Sequence, residues 1–100
     1  MATFITTIRF TEQGLKNIQE TTKRAASFKA TAKKMGVKVT EVFWTLGRFD
    51  GLMVCEAADA ETVTAALLRL GSLGNVHTET VQAFTAAEMD RILAAKEGGK

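Results

Sequence analysis

The 100-residue chain has no proline and no tyrosine, and only one cysteine, one histidine and one tryptophan. Cys55 alone cannot form an internal disulfide, which fits a reducing compartment. With one histidine and no second cysteine, the ligand supply is thin for a zinc site, so neither metal nor cofactor is expected. No apolar run approaches the ~20 residues that cross a bilayer. Met1 to Ile5 lack the basic-then-apolar order of a secretion signal, so a cytoplasmic protein without membrane contact is expected. Repeats, low-complexity tracts and interior spacers are also missing. Residues 1–97 therefore read as a single domain, with residues 98–100 as a flexible tail.

The composition that remains is ordinary globular material, 46% hydrophobic and 24% charged, with a net charge of +2. The charge is uneven. Lys16, Lys23, Arg24, Lys29, Lys33, Lys34 and Lys38 stand against only Glu12 and Glu20, a local excess of about five positive charges. This stretch reads either as a polyanion-binding face or as the solvated back of an amphipathic helix. No aromatic residues interleave with the lysines to stack on bases, which argues against nucleic acid.

The chain is organised around Trp44-Thr45-Leu46-Gly47-Arg48-Phe49-Asp50-Gly51, read as a hairpin tip between apolar runs at 37–46 and 52–57. Gly47 and Gly51 are expected to supply positive φ, and Asp50 to bond within the turn. Before the hairpin, Thr3 to Phe10 alternates as a strand, with Phe4, Ile8 and Phe10 on one face and Ile5 on the other. Thr11 then caps a helix whose stripe of Leu15, Ile18, Thr22, Ala25, Phe28, Ala32 and Met35 runs unbroken to Gly36. Gly14 near its start suggests close contact with a neighbouring strand. After the hairpin, Asp59 caps a second helix bearing Val63, Ala66, Leu67 and Leu70, and Gly74-Asn75 turns the chain. Val76 to Phe84 is a fourth strand. Thr85-Ala86-Ala87-Glu88 is a capping box opening a last helix with Met89, Ile92 and Leu93 on one side.

The order β-α-β-β-α-β-α specifies an α+β fold: a ferredoxin-like βαββαβ unit with a C-terminal helix, and a four-stranded antiparallel sheet covered by helices on one face. Strict alternation puts Val37, Val39 and Phe43 opposite Val42, Trp44 and Leu46, so both faces are apolar. The bare face is expected to pack against a second copy, sheet to sheet, as a homodimer or a higher oligomer.

The hairpin, together with Gly74-Asn75-Val76-His77-Thr78-Glu79-Thr80 and Ala83-Phe84-Thr85, resembles the GYD domain family of small bacterial and archaeal proteins. Phe49 stands at the signature tyrosine, between Gly47 and Asp50, so no tyrosine hydroxyl acts here. The resemblance implies a dimeric α/β-barrel type of fold and says little about activity.

Candidate site residues are few. His77 and Glu79 are two apart on one strand and share a face, as a general base and its orienting partner would. They are also explained as an edge-strand pair. Arg48 and Asp50 on the hairpin tip, Trp44 beside it and Arg9 are the candidates for ligand binding. Three functions stay open. The leading one is an oligomeric binding protein for a small ligand or partner, without catalysis. The second is a cofactor-free oxygenase or isomerase with His77 as base in the cleft between sheet and helices. The third is polyanion binding by the basic first helix.

Overall fold

The computed structural model describes residues 1–98; the end of the expected tail, residues 99 and 100, lies outside them. Among the described residues, four strands, β1 (Ala2–Phe10), β2 (Lys38–Trp44), β3 (Gly51–Ala57) and β4 (Val76–Ala83), form one antiparallel sheet in the order β2-β3-β1-β4. Helices α1 (Glu12–Lys16), α2 (Thr21–Lys34), α3 (Ala60–Ser72) and α4 (Ala86–Lys96) alternate with them. The expected order of elements is therefore present.

The helix starts follow local chemistry. The Thr11 hydroxyl accepts the Gly14 N–H, Asp59 accepts from Thr62, and Thr85 and Glu88 cap each other reciprocally. Gly36 leaves α2 at φ 90°, as a C′ glycine should.

The first helix is not continuous. Asn17 (φ −109°, ψ 31°) ends α1, and a 3₁₀ turn over Ile18–Glu20 leads into α2. The Asn17 side chain donates to the Gln13 carbonyl, and Arg24 donates to the Asn17 carbonyl at 2.7 Å, so the break is bonded from both sides. A 3₁₀ turn advances fewer residues per revolution than an α-helix. It shifts the phase: Thr21 faces inward in place of Thr22, and Leu15 is 58% exposed.

Pairing fixes the faces. Phe4, Thr6 and Ile8 of β1 sit across from Cys55, Met53 and Gly51 of β3, on the helix side. Buried Phe4, Met53, Cys55 and Ala57 pack there with Ala32 of α2 and with Val63 and Ala66 of α3. Buried Thr6 is satisfied by Thr80 across the β1–β4 seam, their hydroxyl oxygens 2.8 Å apart.

Strand β2 departs from strict alternation. A bulge between Val39 and Glu41 inserts Thr40, whose hydroxyl donates to the Val54 carbonyl. The extra residue flips the phase, so Val39, Val42 and Trp44 share the helix face while Glu41 and Phe43 turn to the open face. This corrects the grouping of Val39 with Phe43. Leu46 lies beyond the strand and is fully exposed.

The fold ends on an unpacked element. Among the described residues, helix α4 makes only sparse contact with the rest of the fold. The radius of gyration is 15.4 Å, against about 13 Å for a compact chain of this length.

Candidate ligand cavity and open sheet face

The hairpin tip is closed by bonds from Thr45 and is also anchored to β1. Thr45 N–H donates to the Asp50 carbonyl (2.9 Å), and its hydroxyl donates to the Phe49 carbonyl (2.6 Å). Asp50 N–H donates to the Ile8 carbonyl (2.7 Å), while the Asp50 carboxylate accepts the Phe10 N–H (2.8 Å). The carboxylate thus ties the hairpin to β1, where an internal turn bond was expected. Gly47 does adopt positive φ (127°), but Gly51 does not. Gly51 is buried in β3, and a Cβ there would approach the Phe43 carbonyl oxygen to 3.1 Å, so its role is close strand packing.

Anchoring this end of the sheet frames a cavity of about 480 Å³ on the helix side. Helix α2 lies over β2 and α3 over β4, with little direct contact between the two helices. Ile8, Val39, Val42 and Met53 form the floor, Ala25 and Phe28 one wall, and Leu70 and Leu73 the other. Trp44 stands at the end of β2, 47% exposed, and its Nε1–H donates to the Thr21 hydroxyl at 3.0 Å, joining sheet to α2. It is neither core nor a free surface ring. The charged residues lining this space are Arg24 of α2, Arg69 of α3 and Asp50. The size and the mostly apolar lining with a few polar groups are those of a small-molecule site, typically about 300–1,000 Å³.

Of the ligand-binding candidates, Trp44 and Asp50 line the cavity, while Arg48 and Arg9 do not. Arg48 is exposed in the loop between β2 and β3. Arg9 lies opposite His77, and Thr7 opposite Glu79, so Arg9, His77 and Glu79 share the open face. All three are exposed, and no hydrogen bond or ion pair joins them among the described residues. His77 is therefore outside the cleft in which it was expected to act as base. Among the described residues no three of His, Cys, Asp and Glu gather to hold a metal. Cys55 is 1% exposed, and burial pushes its thiol up to about 11, which makes it a poor nucleophile.

Arg24 and Arg69 were missed as site residues. Arg24 was counted with the lysines, but it lies within one turn of Ala25 and Phe28 on the inner stripe, and that spacing was the available signal. Arg69 gave no signal, because its place depends on how far α3 stands from α2.

The open face carries Ile5, Phe43, Leu52, Val54 and Val81, with Phe43 52% and Val81 61% exposed. Lys38 opposite Glu56 borders this patch on one side, and Arg9 with His77 on the other. The lysines of the first helical segment are solvent-facing: Lys16 and Lys23 pair loosely with Glu12 and Glu20 at 3.7 and 3.8 Å. Lys29, Lys33 and Lys38 border a shallow depression at the β2 edge.

Comparison with known proteins agrees with this architecture. The sequence profile of the GYD domain matches residues 4–93. A Thermus thermophilus protein named glutamine synthetase and cystathionine beta-lyase binding protein is 33% identical over 90 residues, covering 89% of this chain and 95% of the relative. The crystal structure of TTHA0845, also from Thermus thermophilus, superposes with a TM-score of 0.56 at 24% identity, covering 86% of this chain and 96% of the other. The crystal structure of FFRP-DM1 gives 0.58 at 15% identity, covering 84% and 100%. At these identities the two structures speak for the fold alone.

Proposed function

We propose that this chain, which belongs to the GYD domain family, is a small oligomeric binding protein that takes a ligand in the α2–α3 cavity and uses its open sheet face for association. The observation that carries the reading is the cavity itself. Its lining is mostly apolar, with three charged residues and a few hydroxyl and amide side chains, and the chain's single histidine and single cysteine are both absent from it. An enzyme of the cofactor-free kind would need a base inside that space, and the base proposed for it lies on the opposite face of the sheet.

The open face suits a second copy of the chain. An apolar centre with a rim carrying both signs of charge is the anatomy of a protein interface, and under a two-fold axis such a patch can meet itself. Two ferredoxin-like sheets joined this way make a dimeric α/β barrel. Helix α4, with Met89, Ile92 and Leu93 uncovered and little contact with its own body, is free to reach the second copy. The name of the Thermus thermophilus relative supports including protein partners among the ligands of the assembly.

Native mass spectrometry of the purified protein tests this reading. A dimer or larger ring is expected, and added mass that departs on denaturation would identify a bound ligand. A monomer would overturn the association, since the open face and α4 would then both stand in water.

A further inference from the structure

We infer that the cavity between α2 and α3 is a site for a small amphipathic anion, a monocarboxylate with a hydrocarbon or aryl body; this rests on the binding reading above. The argument begins with charge. Arg24 and Arg69 stand on the two facing walls of one mostly apolar space, and neither makes an ion pair among the described residues. Arg24 donates from Nη1 to the Asn17 carbonyl (2.7 Å) and from Nη2 to the Gly14 carbonyl (3.4 Å). These neutral acceptors orient the guanidinium without cancelling its charge. The one carboxylate lining the cavity, Asp50, is directed to the Phe10 N–H at 2.8 Å. Among the described residues the space therefore holds one more positive than negative charge and lacks an anion that pairs with either arginine.

Chemistry selects among anions. Guanidinium groups pair with carboxylates in planar, two-pronged geometry, and the attraction is strengthened most at Arg24, which is half-buried, and less at exposed Arg69. The floor of Ile8, Val39, Val42 and Met53, with Phe28 above it, offers no donor to the far end of a ligand. A bare inorganic anion would leave that floor unfilled, and a wholly neutral hydrocarbon would leave the arginines unpaired. A carboxylate with an apolar body answers both.

The test uses Trp44, the only tryptophan and a wall of the cavity, as reporter. The full chain is titrated with sodium octanoate, octanamide and inorganic phosphate while Trp44 emission and the melting temperature are followed. Octanoate is expected to bind saturably and raise the Tm, to bind roughly tenfold or more tightly than octanamide, and to weaken as salt rises; phosphate should do nothing. Arg69→Gln, at an exposed position, should erase much of the preference, and Arg24→Gln with Arg69→Gln should erase it. Ala25→Phe, which fills the space, should abolish binding of both organic probes. Equal binding of octanoate and octanamide, or a preference that survives both arginine substitutions, overturns the anion inference and leaves the cavity a binding site. Binding of phosphate as tight as that of octanoate overturns the amphipathic part. Failure of every probe to bind overturns this inference alone; the small-ligand reading is judged separately, by the added mass in the native spectrum.

Discussion

Replacing Gly14 by alanine should cost this protein much of its stability, although the residue sits in a helix where alanine is intrinsically favoured. A Cβ at Gly14 would overlap the Asn75 carbonyl oxygen and lie 3.1 Å from the carbonyl carbon. Backbone atoms cannot rotate aside, so α1 and the entry to β4 would have to separate. Separation strains the Thr11 N–H bond to the Asn75 carbonyl (3.0 Å) and the Thr11 hydroxyl bond to the Gly74 carbonyl (2.6 Å). Each such bond contributes about 1 kcal/mol, and overpacking adds about 1–3 kcal/mol. The gain in helix propensity returns only about 1 kcal/mol. The balance is a loss of about 2–4 kcal/mol, or roughly 10–20 °C in Tm for a domain of this size. Gly71→Ala is the matched control: Gly71 is helical, with open space around its would-be Cβ. It should stabilise by about 0.5–1 kcal/mol. Thermal melts followed by circular dichroism read both. A Gly14→Ala protein that melts at or above the parent temperature would refute the close-approach reasoning.

Cys55 should resist iodoacetamide at pH 8 in the folded protein and react once unfolded. Its folded pKa of about 11 lies above the ordinary value of 9.0, so its contribution is fully present below pH 9 and is lost progressively as pH rises from there through about 11. The loss is about 2–3 kcal/mol, seen as a falling denaturant midpoint. Asp59 is held below the usual carboxylate range by the Thr62 hydroxyl and then the Thr62 N–H, and Glu88 chiefly by the Thr85 N–H. Their contributions are present at neutral pH and fade as pH falls through the lowered folded values; Asp59→Ala should lower the Tm at pH 7 and narrow its gap to the Tm at pH 3. Val81→Asp on the open face should convert an oligomer to monomer in native mass spectra while leaving Trp44 emission unchanged, and an intact oligomer would place the interface elsewhere. His77→Ala should leave both octanoate binding and melting temperature within error of the parent; loss of binding would return His77 to the site.

The caps, the two long strands and the hairpin could be read from the chain because each depends on residues a few positions apart. Thr11, Asp59 and Thr85 accept N–H groups three residues on, and Glu88 accepts the Thr85 N–H three residues back. The closeness implied by Gly14 was legible too, although its neighbour is the Asn75 carbonyl in the turn before β4 and not a strand. The candidate site was half legible. Trp44 and Asp50 line the cavity, whereas Arg9, His77 and Glu79 belong to the other face and Arg48 to the loop.

What the sequence determined by itself was the order of elements and the caps that start α1, α3 and α4. Which face each residue took was decided in three dimensions. The bulge at Thr40 and the break at Asn17 each shift a periodic pattern out of phase, and both are held by contacts to other segments or turns. The cavity is more remote still from local pattern. It exists because α2 and α3 rest over opposite sides of one sheet with small residues such as Ala25 between them, a spacing set by the whole packed layer.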